Sequence, residues 1–420
     1  MFKNLKLIFS PKNKDIRKRI GFTLFGLLVF AIGTTIPVPG TKGAISSLGL
    51  WELYNAIGGG ALKNFSIFAL GVMPYISASI ITGILQMDII PYFTELKESG
   101  EQGRQKINQI NRYIGIAIAF IQGFAMAFTF VKGQDTLVYL KIAVILTAGT
   151  AFLLWLGDQI TQKGIGNGIS LLIMAGIIYT VPKMFIDTFT TLVLDHTGSL
   201  FVGIIGYVIF VLVYLLIIVG VVFEESSERR VPIQYSNRTA SAYGAKQNYI
   251  PFKLNSAGVM PVIFASVILT IPTFIAGLLG EESSFSVFVS KYINYTTPTG
   301  FVLYIILIFV FGFFYTNMQI NPKELAKNLN KSGGYIPGVR PGVETEKYIK
   351  KILNRITLLG SIFIAVIAAL PIVFSSFVST GLPASASIGG TGVLIVVGVA
   401  IETYKQLESS LINRNYKGAR

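Results

Sequence analysis

The chain has 420 residues, of which 52% are apolar before its 43 glycines are counted and only 13% are charged. That is about half the charged share of a soluble protein, too little to cover a water-exposed surface, so the composition specifies a chain embedded in a membrane. The absence of cysteine and the presence of one histidine exclude disulfides, thiol nucleophiles, thiolate metal sites and any site built on two imidazoles.

Residues 1–19, MFKNLKLIFSPKNKDIRKR, carry seven Lys or Arg and one Asp and give way to an apolar stretch at 20–36. The PVPG that follows at 37–40 offers no small-x-small cleavage site, so an uncleaved first membrane helix with a cytoplasmic N-terminus is expected. Further stretches long enough to cross a bilayer follow at 65–87, 113–131, 137–157, 168–186, 200–223, 255–279, 300–320, 352–374 and 387–407. Ten spans return the C-terminus to the starting side, and they assign every loop to a face. Only Lys42, Lys63, Lys132, Lys141, Lys183 and Lys291 fall on the far side, leaving 29 of the 35 Lys and Arg facing the cytoplasm. The net charge of +15 therefore records topology and needs no nucleic acid to explain it.

The ten spans divide into halves of five, at 20–190 and 191–410, between cytoplasmic tails at 1–19 and 411–420. An odd number per half makes any repeat inverted in the membrane. Pro74 lies in the middle of the second span, and Pro261 and Pro272 lie in the seventh, so corresponding helices are interrupted in both halves. Two cytoplasmic loops, 224–253 and 321–351, are longer than connection requires. In the second, Gly333-Gly334, Pro337-Gly338 and Pro341-Gly342 shape a tip that presents Arg340, which suits a platform for an acidic cytosolic partner.

Enzymatic constellations are missing: there is no phosphate loop, no nucleophile elbow and no His-Glu-x-x-His. GIGNG at 164–168 reads as a helix entry, and His196 as a solvated residue of an external loop. Lys141, Asp158 and Glu402 fall near span ends, which argues against proton or sodium coupling. The spans instead hold small and uncharged polar residues, among them Gly71, Ser77, Ser79, Thr82, Gly83, Gln122 and Asn255, which serve close helix packing or line a path. The segment 48–64 begins apolar and then meets GGGAL at 58–62. It is either a linker or a small-residue element resting inside the protein.

Several long motifs are recognisable: IPVPG at 36–40, GGALKNFSIFALGVMPYISASII at 59–81, QKINQINRY at 105–113, WLGDQITQKGIGNGIS at 155–170, NSAGVMPVIFAS at 255–266 and NPKELAKNLNKSGGYIPGVRPG at 321–342. Together they resemble the SecY family, the central subunit of the bacterial protein-translocation channel, in register across all ten spans. The resemblance implies an all-α polytopic membrane protein in which ten transmembrane helices form two inverted five-helix halves around an hourglass pore with a lateral gate.

It further implies a pore constriction at Val72, Ile76, Ile169, Ile173, Ile263 and Ile395. All six are aliphatic, and such a ring can dewet and block ions yet yield to a passing chain of any sequence. A plug is implied at about 53–64, including Leu53, Gly58, Gly59, Gly60, Ala61, Leu62 and Asn64. Gate helices correspond to spans 2, 3, 7 and 8, with Ser77, Gln122 and Asn255 as candidate polar gate residues. Partner contacts fall on Arg340 and on Arg229, Arg230 and Arg238, whose loop tip at 239–245 is shorter than the family pattern. The implied partners are SecE and SecG, the SecA ATPase, the ribosome, unfolded preproteins with their signal peptides, and membrane lipid. No cofactor and no catalysis are expected, and the place is the cytoplasmic membrane. An accessory paralogue with a narrow client range differs only in its clients. A secondary transporter of a small solute would normally show a charged or hydrogen-bonding midplane site.

Overall fold

The computed structural model describes residues 14–41, 45, 51, 54–55, 58–86, 90–131, 133–194, 200–235, 248–280, 283–294, 297–377 and 384–417. Leu53, His196, Arg238 and the 239–245 tip lie outside the described residues. In chain order the elements are α1 (Lys14–Thr35), α2 (Met73–Leu85), α3 (Pro91–Glu98), α4 (Glu101–Phe130), α5 (Thr136–Lys163), α6 (Gly168–Phe189, continued by a π turn at Thr190–Leu194) and α7 (Leu200–Ser226). Strands β1 (Glu228–Tyr235) and β2 (Asn248–Lys253) follow. The chain then forms α8 (Met260–Leu279), α9 (Ser284–Phe288, with a π turn at Val289–Ile293), α10 (Pro298–Gln319), α11 (Pro322–Lys331), β3 (Gly334–Tyr335), α12 (Val343–Phe377) and α13 (Ala384–Lys417).

Ten of these helices stand where the ten spans are expected. Among the described residues, seven (α4, α5, α6, α7, α8, α10 and α12) are long and apolar enough to cross a membrane, and α2 is a shorter apolar helix of 13 residues. The second span differs from expectation. Residues 65–72 are mostly apolar and buried but folded as turns, with one isolated bridge from Ser66 to Pro37, and the helix starts only at Met73. Phe65 and Gly71 both have positive φ, which a right-handed helix does not accommodate, and Pro74 opens α2 where its missing N–H costs nothing. Several helices also outrun their apolar stretch into the expected loops and tails. α1 begins at Lys14, α4 at Glu101 and α12 at Val343.

The two halves have the same internal wiring. In the first, α1 packs on α5 and α6, α2 on α4, α4 on α5, and α5 on α6. In the second, α7 packs on α12 and α13, α8 on α10, α10 on α12, and α12 on α13. Position by position this is one pattern, five helices on. The halves meet where α8 packs on α2 and α4, and where α13 packs on α6.

The correspondence reaches the backbone. GVMPYISAS at 71–79 and GVMPVIFAS at 258–266 agree at seven of nine positions and open the second membrane helix of each half. Gly71 (φ 56°) and Gly258 (φ 59°) both occupy the left-handed region, where glycine is strain-free. Val72 (φ −101°, ψ 4°) and Val259 (φ −86°, ψ −5°) precede helices with proline in the first turn. The Ile76 N–H reaches the Val72 carbonyl and the Ile263 N–H the Val259 carbonyl, both at 3.3 Å. Each turn carbonyl is also met by a side chain, Gly71 by the Thr150 hydroxyl at 3.2 Å and Gly258 by Asn255 Nδ2 at 3.0 Å.

The two long loops fold as one unit. β1 pairs antiparallel with β2, from Glu228 opposite Lys253 to Ile233 opposite Asn248, and on its other side with β3 through Gln234–Tyr335 and Tyr235–Gly334. Val231, Ile233 and Phe252 then bury against Ala326, Leu329 and Ile336 and against Ile349, Ile352, Leu353 and Ile356 of α12. The sheet is thus anchored by apolar burial to a membrane helix that extends beyond its span.

Candidate functional site

The aliphatic candidates converge from both halves. Val72, Ile76, Ile173, Ile263 and Ile395 are all buried within one large apolar cluster, and the partly buried Ile169 packs against it. Val72 and Ile76 come from the start of α2, Ile169 and Ile173 from α6, Ile263 from α8 and Ile395 from α13. Ile76 and Ile263 are repeat mates, each two residues past the proline of its GVMP turn, so the duplication delivers equivalent isoleucines from the two halves. Asn167 begins α6 by accepting from the Ile169 and Ser170 N–H groups, which makes GIGNG the helix entry expected of it. It also fixes the register in which Ile169 and Ile173 share a face.

Most of the described part of the glycine-rich segment is inside the protein, while Lys63 is exposed. Trp51, Tyr54, Gly58, Gly59, Ala61 and Leu62 are buried, Ala61 and Leu62 completely, while Asn64 is partly buried. An external linker would not be. Gly59 and Gly60 have positive φ (77° and 75°). Gly59 lies against the α6 backbone at Gly176, and Gly60 faces Thr180 one turn on. Ile169, Ile173, Gly176 and Thr180 follow one another at spacings of four, three and four, so constriction candidates and segment contacts lie on a single helix face.

Hydrogen bonds at the segment and at the residues just after it add to this packing. Val38 N–H donates to Phe65 O at 2.9 Å, Ile67 N–H to Ile36 O at 3.0 Å, and the Tyr54 hydroxyl to Leu70 O at 2.7 Å.

The three polar candidates serve different local structures. Ser77 Oγ bonds back to the Met73 carbonyl at 3.2 Å, within α2. Asn255 holds the Gly258 turn and also bonds the Glu224 side chain. Gln122, buried on α4, leaves its Oε1 without a partner. Polar links between α2 and α4 instead converge on Asn111, which meets the side chains of Thr82 and Tyr75.

Among the arginines, Arg229 and Arg230 are exposed on β1, and Arg340 is exposed on the tip between β3 and α12. The β1–β3 pairing places all three on one folded unit. Gly338 (φ 79°) and Gly342 (φ 99°) flank Arg340, and the Thr345 hydroxyl closes the tip on the Arg340 carbonyl at 2.9 Å. The Arg230 guanidinium meets Glu228 at 2.7 Å and lies 4.8 Å from the Tyr249 ring centroid. The hydrogen bond to Glu228 pushes its pKa further up. The duplicated GVMP turn and the Trp51 contacts were not reached by reading the sequence, although the first is written there plainly.

A buried aliphatic junction between two similarly wired halves, with a small-residue segment packed inside it, defines a channel-type membrane protein of ten helices in two inverted halves. The SecY family model matches residues 66–404. The chain is similar to the protein translocase subunit SecY of Halalkalibacterium halodurans, 46% identical over all of this chain and 99% of the relative, and to that of Staphylococcus aureus, 46% identical over 97% of each. The chain belongs to the SecY family. Its fold is also that of solved structures described as a protein conducting channel (TM-score 0.67, 20% identity, covering 94% of this chain and 92% of the other) and as Sec61 in the canine ribosome-channel complex (TM-score 0.64, 20% identity, the same coverage).

Proposed function

We propose that the chain is the pore-forming subunit of a protein-conducting channel. It passes unfolded secretory proteins across the cytoplasmic membrane and releases hydrophobic segments sideways into lipid. The observation that carries this reading is the convergence of Val72, Ile76, Ile173, Ile263 and Ile395 from both halves into one buried apolar cluster. An aliphatic waist seals without selecting a substrate, whereas a solute carrier needs hydrogen-bonding groups there.

On this reading the buried segment around Gly58–Gly60 is the plug, α2, α4, α8 and α10 form the lateral gate, and both termini with the β1–β3 unit face the cytoplasm. The channel hydrolyses nothing. SecA or a translating ribosome supplies the drive through Arg229, Arg230 and Arg340, and SecE and SecG complete the complex. A solved relative whose description says that the plug domain of SecY stabilises the closed state and maintains a membrane seal, at 21% identity and TM-score 0.64, agrees with this assignment.

The test is reconstitution. Vesicles holding the chain with its two small subunits, given SecA, ATP and a preprotein, should protect the preprotein from added protease, and vesicles lacking the chain should not. Equal protection in both would overturn the proposal.

A further inference from the structure

The segment that carries the glycines begins, among its described residues, with an aromatic group whose contacts the channel reading does not use. The Trp51 indole meets the Phe274 ring of α8 edge-on, centroids 4.5 Å apart at 88°, and the Phe130 ring that ends α4 at 5.5 Å and 63°. Such edge contacts are the favoured aromatic geometry. Trp51 is 6% exposed, so the contact is a filled junction.

The backbone leaves room for it at one point. A Cβ at Gly277 of α8 would come 3.0 Å from Trp51 Cζ2 and 2.7 Å from Thr129 Oγ1 of α4, so glycine there lets the indole and the last turn of α4 close onto α8. Tyr54 adds a second edge contact to Phe274, at 5.4 Å and 84°. Its hydroxyl ties the pair to Leu70, just ahead of α2. Phe65, in the same segment, meets Phe130 at 6.2 Å.

α4 belongs to the first half and α8 to the second, and Trp51 lies across the seam between them. We propose that Trp51 is a clasp that holds the far ends of α4 and α8 together, so that the seated segment locks the lateral gate as well as filling the pore. α4 cannot part from α8 while the indole keeps both Phe130 and Phe274. Withdrawal of the segment removes the indole from the seam, so displacement of the segment and lateral opening become one transition, not two. The inference rests on the gate and plug assignments above and goes beyond them in naming the residue that couples the two.

The experiment uses the reconstituted complex with nitroxide labels at Phe128→Cys on α4 and Ile275→Cys on α8. Both positions are exposed (44% and 45%), and no native cysteine competes. Trp51→Ala and Phe274→Leu should lengthen or broaden the α4–α8 distance distribution at rest and raise resting ion conductance by roughly tenfold or more, because several aromatic contacts are lost together. Trp51→Phe, which keeps a ring in the seam, should stay close to the parent in both measurements. An unchanged distance together with raised conductance in Trp51→Ala would show that the indole seats the segment without clasping the gate, and would overturn the inference. Parent-like conductance in Trp51→Ala, with raised conductance on deleting residues 58–64, would also overturn it while leaving the plug assignment standing. If the deletion also leaves conductance unchanged, the plug assignment falls and the clasp falls with it.

Discussion

Gly59 and Gly176 meet backbone to backbone. A Cβ on Gly59 would lie 2.5 Å from Gly176 Cα, and a Cβ on Gly176 would lie 2.9 Å from Gly59 Cα. Neither position has room for a side chain, and at Gly59 the positive φ adds strain to any substitution. Because Gly176 is three residues past Ile173 on the same face of α6, the constriction candidates Ile169 and Ile173 and the glycine that contacts the segment belong to one helix.

Gly176→Ala should therefore unseat the segment without weakening α6. Alanine in a helix interior is favoured over glycine by about 0.5–1 kcal/mol, so any loss of closure traces to the contact and not to the helix. Planar-bilayer recordings should show resting conductance rising several-fold in Gly176→Ala. Gly206→Ala, whose added Cβ would meet only Leu192 Cδ1 at 3.9 Å, should match the parent. Identical resting currents in all three proteins would remove Gly176 from the seat.

Ala61 is completely buried at rest, and the protein is free of cysteine. Ala61→Cys should resist a membrane-impermeant maleimide added from outside, then react once a translocating chain is trapped in the pore. Rapid labelling in both states would show that the segment does not plug the channel.

Replacing Ile76, Ile263 or Ile395 with Asn should hydrate the waist, since each is buried (3%, 3% and 2% exposed) and an amide in that cluster recruits water. Resting conductance is expected to increase for each, with weaker dependence on a strong signal sequence. As repeat mates, Ile76→Asn and Ile263→Asn should have similar effects. A tight resting seal in all three variants would place the constriction elsewhere.

Arg340 is exposed on a tip whose shape comes from Pro and Gly backbone geometry, so Arg340→Glu should insert and melt like the parent yet lose most SecA-driven translocation in vesicles. Arg340→Lys should recover only part of it, because an ammonium lacks the planar fork of donors. Full translocation by the Glu variant would take Arg340 out of the docking surface.

Arg112 of α4 and Asp158 of α5 pair at 2.6 Å with 42% and 25% of their side chains exposed. At that exposure solvent screens the pair, so a double-mutant cycle of Arg112→Ala and Asp158→Asn should give a coupling of about 0.5–1 kcal/mol in thermal unfolding. A coupling of zero would make the pair incidental to the α4–α5 packing.

Hydropathy by itself located all ten membrane helices, because it is a local sum that tertiary packing does not alter. The same locality explains what it misplaced. A window of apolar residues reports burial, not helix, so 65–72 read as span although Phe65 and Gly71 turn the chain there. Helix hydrogen bonding does not stop where hydrocarbon ends, so α1, α4 and α12 start earlier than their apolar stretches.

The duplicated GVMP turn was also legible, but comparing whole spans dilutes seven matched residues among freely interchangeable aliphatic ones. The aliphatic character of the six constriction candidates, and the clustering of Arg, Pro and Gly around 337–342, were likewise present in the sequence. Only the tertiary structure brought Ile76, Ile173, Ile263 and Ile395 into one cluster, paired Gln234 with Tyr335, pressed Gly59 against Gly176 and laid Trp51 between Phe130 and Phe274. Each of these joins segments far apart in the chain, and whether they meet depends on helix crossing geometry and on the side-chain volume absent at a few glycines, which no local pattern records.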